Sequence, residues 1–270
     1  MIVVFVFLPY NKSMKKHRYQ HEFYTSKATL LIRHIHQLYT MEERHGKPII
    51  YEDAFIAVHH DFIMALGRGQ GRKYCDKDTK IIDAYGCCVV PGFIDAQYHF
   101  LKAETIIKYR DHDLLMRCRQ HLCAMEAGGV TGIGLPAYAD ETINARMMRV
   151  YESMSQLREM TLVPYKSPIN SDSIISVGTD ADINDLFLMA KMEMRTQNYS
   201  EFEVLKRITV NPAKQLGLDD LRGKLAVDYQ ADFVVLQAPS LQLAFASLAP
   251  SCVSQVYRDG ISIWKGRLHN

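Results

Sequence analysis

The sequence predicts a mixed α/β fold, and three observations carry that prediction. Short alternating apolar runs fill residues 28 to 90, helical periodicity alternates with buried strands over 111 to 221, and the β pattern returns from Leu225 onward. Strands alternating with helices belong to a layer with parallel strands, so the expected order is sheet, α/β unit, sheet.

In the first segment ATLLIR, EDAFIAV, FIMALG and KIIDAYGCCVV read as strands separated by turns. The turn HHDF between Val58 and Ile63 contains no glycine, which assigns the left-handed position to Asp61. GRGQGRK at 67 to 73 is glycine-rich and basic, but no strand-to-helix context surrounds it, so it reads as a solvated loop rather than a phosphate cradle.

The middle segment changes period. Asp113 is a candidate cap for a helix that keeps Leu114, Leu115, Cys118, Leu122 and Met125 on one side and stops at Gly128 and Gly129. VTGIGL at 130 to 135 then reads as a buried strand. Asp140 can cap a second helix, with Ile143, Met147, Val150, Met154 and Leu157 at three- and four-residue spacing. SIISVGTD at 173 to 180 reads as another buried strand, and a helix begins near Asn184. Ser200 and Glu203 form an S-x-x-E capping box for the next helix, and Asn211 and Pro212 restart a last turn that Gly217 stops. In the final segment ADFVVLQ at 231 to 237 and SQVYRDGISIW at 254 to 264 are strands, the latter folded as a hairpin at Asp259-Gly260.

Composition limits the function classes. A hydrophobic content of 48% with 23% charged residues allows a sizeable core. Thirty-two Lys and Arg stand against 30 Asp and Glu, a net charge of +2, so no basic field argues for nucleic acid, and small molecules are the expected partners. Cys75, Cys87, Cys88, Cys118, Cys123 and Cys252 have no paired C-x-x-C spacing, which fits reduced thiols in a cytoplasmic protein. The opening MIVVFVFLP is too short to span a bilayer, and Lys12, Lys15 and Lys16 follow it rather than precede it, so neither a membrane anchor nor a secretory signal is expected. Met14 begins a more ordinary start, MKKHRYQ, which makes residues 1 to 13 a candidate upstream extension.

The sharpest chemistry lies in VVPGFIDAQYHF, residues 89 to 100, where an apolar strand runs into polar residues at its carboxyl end. Alternation puts Asp95, Gln97 and His99 on one face there. A lone strand-end histidine is ordinarily a hydrogen-bonded, partly buried side chain. Here the preceding PGFID resembles the first barrel strand of the metal-dependent amidohydrolase superfamily, which ends in PGFIDxHxH and gives two histidines to a divalent metal. His99 matches the second histidine, and Gln97 stands at the first. A carboxamide oxygen is a weaker, harder ligand than imidazole.

Two further segments resemble the same superfamily. SVGTD at 176 to 180 is similar to its last barrel strand, which implies for Asp180 a contact to the metal and the role of base on the attacking water. NPAKQLGLDDLRGKLAVDYQADFVVLQ, residues 211 to 237, resembles the passage by which these enzymes leave the barrel and return to the sheet domain. Asp228 there replaces a glycine at a turn position where aspartate is tolerated. Residues 30 to 58, GGVTGIG and RMMRVYESM resemble imidazolonepropionases, in which Tyr138 would stand for a substrate-holding tyrosine, whereas VGTDADINDLF is closer to deaminases acting on purine-like or cytosine-like rings.

The resemblance implies a partial (β/α) TIM-like barrel with a small β-sandwich domain built from both chain ends. Its expected boundaries are 1–27 for an N-terminal extension, 28–88 for the first part of the sandwich, 89–221 for a shortened barrel and 222–270 for the second part of the sandwich. A whole barrel takes about 250 residues, and 89–221 has room for three or four βα units. The missing middle falls between Met154 and Ser173, and an open barrel of this kind invites a second copy of the chain to cover it. His112 and His121 fall in the first helix and read as surface or packed residues, and His34, His36, His59 and His60 as surface positions of the sheet domain. Cys118 and His121 share a helix face, but two ligands do not make a closed site.

The implied function is hydrolysis of a carbon-nitrogen bond, other than a peptide bond, in a small cyclic amide or amidine. His99, Gln97 and Asp180 would hold a divalent metal, zinc first and iron or manganese next. The rival expectation is a non-catalytic amidohydrolase-like remnant or interaction module with an incomplete site and no metal.

Overall fold

The computed structural model describes residues 26–135, 138–156, 161–164, 185–246, 248 and 252–266. Most of the expected N-terminal extension, the expected strand SIISVGTD with Asp180, Leu157 and the expected helix start at Asn184 lie outside the described residues.

Strands from both ends of the chain join in one eight-stranded sheet. Its members are β1 (Leu30–Arg44), β2 (Lys47–His59), β3 (Phe62–Arg68), β4 (Lys80–Asp83), β5 (Cys88–Pro91), β9 (Phe233–Leu236), β10 (Val253–Arg258) and β11 (Ile261–Lys265). The order is β11-β10-β9-β5-β1-β2-β3, with β4 also paired to β1. The C-terminal strands therefore add directly to the N-terminal ones through the antiparallel β5–β9 pair. The expected interleaving of the two chain ends is present, but the strands connect as one sheet rather than as two separate layers of a sandwich. The sheet curls so that its β3 edge returns to the segment before β9: Phe62 bridges Gln230, Ile63 N–H donates to the Tyr229 carbonyl, and Ala231 N–H donates to the Asp61 carbonyl.

Side-chain alternation makes β5 and β9 a shared wall. Val89, Phe233 and Val235 face a core inside the curled sheet together with Leu30, Ile32, Ile56 and Val58. Cys88, Val90, Val234 and Leu236 point the other way, into the larger α/β core. A one-residue slip of either strand would exchange the two sets.

After β5 the chain crosses into a second, three-stranded parallel sheet: β6 (Phe93–Asp95), β7 (Val130–Leu135) and β8 (Thr161–Pro164), in that order. Helices α1 (Ala103–Lys108) and α2 (Asp111–Ala127) connect β6 to β7, and α3 (Glu141–Gln156) connects β7 to β8. Helices α4 (Leu186–Gln197), α5 (Glu201–Arg207), α6 (Val210–Gln215) and α7 (Leu241–Ala246) follow. The sheet is not closed among the described residues. On the β6 edge opposite β7, the Ile94 N–H donates to the carbonyl of Ile208, just after α5. No helix among the described residues is long and apolar enough to cross a membrane.

Most local signals held. Asp140 caps α3 by accepting from Thr142 and Ile143 N–H, Ser200 and Glu203 form the reciprocal capping box of α5, and Asp259-Gly260 turns the β10–β11 hairpin with both residues left-handed. Asp228 takes the left-handed turn position expected of it, with φ 69°. The buried stripe of α2 is Leu114, Cys118, Leu122 and Met125.

Several expectations are corrected. His60, with φ 53°, takes the left-handed position in the β2–β3 turn, and Asp61 is not among the left-handed residues. Asp113 lies inside the first turn of α2, whose N-cap is Arg110, so its carboxylate acts on the helix dipole rather than as a cap. Segment 67–73 is not simply a solvated loop: Gly71 is buried with φ 63°, and a Cβ there would come 2.5 Å from the Phe55 ring. His59 is not a surface residue; it is 8% exposed and its Nδ1 lies 2.8 Å from the Lys27 carbonyl oxygen. β8 has no counterpart in the sequence reading.

Candidate functional site

β6 is only three residues long and ends at Asp95, and the five residues after it alternate in burial. Ala96, Tyr98, Phe100 and Leu101 are buried, whereas Gln97 and His99 are exposed. The expected common face of Asp95, Gln97 and His99 is therefore corrected at its first member. Asp95 is wholly buried, and its Oδ1 accepts from the Gln97 N–H at 3.0 Å, which turns the chain outward at the strand end. Gln97 and His99 do share the solvent side at the carboxyl end of a parallel strand, where α/β folds place their chemistry.

Tyr138 is brought to the same place. It follows β7, its hydroxyl donates to the Leu101 carbonyl at 2.8 Å, and its ring meets the His99 imidazole edge to face with centroids 5.8 Å apart. Burial pushes the Tyr138 hydroxyl up from its ordinary value, which keeps it a neutral donor. Two of the residues singled out in the sequence are thus neighbours across 39 positions.

Beneath them lies an aromatic layer that the sequence reading missed. Tyr98 is fully buried, and a 2.8 Å hydrogen bond joins its hydroxyl to His121 Nδ1 on α2. Its ring meets Phe100 edge to face at 4.7 Å, and Phe100 packs on Tyr151 of α3 at 5.7 Å. The available signal was the alternation itself, since residues facing opposite to Gln97 and His99 must enter the core. Gly134 is the other missed residue. The Tyr98 N–H donates to its carbonyl, and a Cβ on Gly134 would stand 2.0 Å from the Ala96 carbonyl oxygen, so only glycine lets β7 approach this turn.

The same contacts dispose of the Cys118–His121 pair as a metal site. Burial drives the Cys118 thiol up to about 12, which raises the cost of forming the thiolate a metal would need. His121 spends Nδ1 on Tyr98, and burial with Arg117 nearby lowers its basicity. His112 is a surface residue, its side chain 82% exposed.

A mononuclear zinc site ordinarily takes three protein donors. Gln97 and His99 would provide two, one of them weak, and no group of three or more His, Cys, Asp or Glu able to hold a metal occurs among the described residues. The described residues alone do not fit a closed metal site. The third expected donor, Asp180, lies outside the described residues.

Comparison with known proteins agrees with this architecture. Residues 144–262 match the amidohydrolase family. An imidazolonepropionase of Streptococcus pyogenes serotype M12 is 25% identical over 162 residues, covering 57% of this chain and 35% of that protein. This chain thus spans about a third of the length of the imidazolonepropionases it matches. In fold, it is similar to triazine hydrolase from Arthobacter aurescens, with a TM-score of 0.69, 12% identity and coverage of 88% of this chain and 95% of that one. It is also similar to an adenosine deaminase from Xanthomonas campestris solved with bound zinc, with a TM-score of 0.60, 13% identity and coverage of 88% and 93%. The family match spans the return to the sheet, and in both sequence and fold the chain is similar to members of the amidohydrolase superfamily.

Proposed function

We propose that the protein hydrolyses a carbon-nitrogen bond of a small cyclic amide or amidine, in the manner of an imidazolonepropionase or a ring deaminase. The observation that carries this reading is the exposed pair Gln97 and His99 at the end of β6, with the Tyr138 ring nearly perpendicular to the imidazole. In this reading the His99 imidazole, the Gln97 carboxamide oxygen and the Asp180 carboxylate hold a divalent cation, zinc first and iron or manganese next. When bound, such a cation supplies Lewis acidity. Asp180 accepts the proton released as water attacks the ring carbon, which suits a carboxylate near an acidified water. The Tyr138 ring limits the rotation of His99 and gives a planar substrate an apolar edge beside the reacting atoms.

Purified protein assayed with hydantoin-like cyclic amides and aminopurines, beside His99→Ala and Asp180→Asn, tests the reading. Metal-dependent turnover that falls at least a hundredfold in both variants supports it, a loss in the range expected for removing a general base. Absence of bound zinc, iron or manganese, with no turnover after adding them, overturns it.

A second reading is favoured by Gln97 itself: a carboxamide in place of the expected imidazole describes a scaffold that has given up its metal chemistry. On that reading the protein is an amidohydrolase-like remnant or interaction module. Turnover of a ring substrate by a well-behaved monomer contradicts it.

A further inference from the structure

Apart from a single β-bridge at His99, the segment carrying Gln97 and His99 has no regular secondary structure, so side-chain contacts must share in fixing which of its residues face outward. Apolar burial does not suffice. The hydrophobic effect is non-directional, and Phe100 and Leu101 can find apolar surroundings in more than one register. Slipping the segment by one residue would turn the buried set out and bring Gln97 and His99 in, as in any alternating chain.

The contact that discriminates between registers is polar and directional. Tyr98 is wholly buried, and its hydroxyl reaches across to α2, where His121 Nδ1 stands 2.8 Å away. The bond is partly buried, and its loss from the His121 side strands the wholly buried Tyr98 hydroxyl. Tyr98 is also held at its backbone, where its N–H donates to Gly134 of β7. Three residues on, the Leu101 carbonyl accepts the Tyr138 hydroxyl proton, and the Tyr138 ring in turn edges His99. The segment is thus pinned at two ends of a short span, with His99 between the pins.

We propose that His121 and Tyr98 are positioning residues for the strand-end site: the bond between them sets the register of residues 97–101, and through it the outward direction of His99 toward its ligand. This rests on the reading of His99 as a site residue, but it concerns how that residue is held rather than what reaction follows. Neither His121 nor Tyr98 touches a substrate or metal in this account. His121 acts through Tyr98, and Tyr98 through the backbone that precedes His99.

The test is read on His99 itself, without metal or substrate. In protein labelled with 13C and 15N histidine, the His99 Cε1–H resonance is assigned with His99→Gln and followed in Tyr98→Phe, His121→Phe and His121→Gln. Tyr98→Phe removes one oxygen atom and keeps the ring, so the core remains filled. The expected result is a displaced or broadened His99 resonance in Tyr98→Phe and His121→Phe, restored toward the parent position in His121→Gln, whose carboxamide can still bond the Tyr98 hydroxyl. Ser200→Ala serves as a control for lost stability alone, since it removes only the cap of α5 and should leave the resonance in place. Zinc titrated alone should bind Tyr98→Phe about tenfold more weakly than the parent, as for other residues that orient a ligand.

An unmoved His99 resonance in folded Tyr98→Phe and His121→Phe overturns the proposal. A measurement on the parent needs no variant: the 15N shifts of His121 must show one fixed tautomer bonded at Nδ1, and shifts averaged between tautomers also overturn it. If the hydrolase reading fails because no metal binds, the resonance measurements still stand. If they fail while turnover is found, only the positioning role is lost.

Discussion

The imidazole of His99 and the phenol ring of Tyr138 meet edge to face, their centroids 5.8 Å apart and their planes at 86°. This geometry favours the aromatic quadrupoles. Tyr138 holds the arrangement by its hydroxyl bond to the Leu101 carbonyl. Tyr138→Phe should lose that bond and about 0.5–1.5 kcal/mol of stability while keeping the ring contact. Tyr138→Ala should cost more and free the His99 ring. Urea unfolding, with the His99 resonance as a second readout, checks both.

Gly134→Ala should be more damaging than its small size suggests. The added methyl would enter the Ala96 peptide, with the carbonyl oxygen 2.0 Å and the carbonyl carbon 2.6 Å away. Both obstacles are backbone, so β7 or the site segment must shift. Overpacking of this kind costs about 1–3 kcal/mol. The expected outcome is a lowered unfolding midpoint together with an altered His99 environment.

Arg222 ties the return passage to the sheet. It is almost wholly buried with Asp232, which it binds through one guanidinium nitrogen, while the other reaches Asp259 at 2.9 Å in the β10–β11 turn. Arg222→Ala would leave the Asp232 carboxylate buried without its guanidinium. Breaking a buried pair in this way costs about 3–5 kcal/mol. Chemical denaturation should show a loss of that size, with the m-value unchanged if the protein still unfolds in one step.

His121 gives a pH signature. Burial, with Arg117 adding to it, lowers its basicity below the ordinary 6.5, so the folded protein resists taking up this proton. Between the lowered value and 6.5 the unfolded chain binds more protons, and stability rises with pH across that window. The contribution is complete above 6.5 and is lost as the pH falls through the folded-state value. His121→Gln should remove this component, so its stability should fall less steeply than that of the parent on the acid side. Unfolding curves at a series of pH values below neutrality check the difference in slope.

Much of the fold was legible because its signals are local. Ser200 with Glu203 and Asp259 with Gly260 each specify their own few residues, and both appear where expected. The shared wall of β5 and β9 was half legible: both strands read as apolar runs, but the pairing of Val90 with Val234 spans most of the chain and no local pattern encodes it. β8 was missed because TLVP offers only three apolar or β-branched residues before a proline, too few to show a period. The left-handed residue at the β2–β3 turn fell on His60 rather than Asp61 because intrinsic turn preference is weak beside the register demanded by His59 opposite Phe62. At the candidate site, the motif points to Gln97 and His99, and the structure exposes both. Their support could not be read off, since His121 and Gly134 lie 23 and 36 residues from Tyr98 and matter only through contacts across the core.

The central claim is that the end of β6 is built as an amidohydrolase metal mouth and that Gln97 is its weakened donor. Equilibrium binding of zinc to the parent and to Gln97→His measures this most directly. The account predicts about tenfold or greater tightening in Gln97→His, by analogy with the sensitivity of metal sites to ligand support, and loss of that gain when His99→Ala is added. Equal zinc affinity in the parent and Gln97→His, or a gain that survives removal of His99, would contradict it.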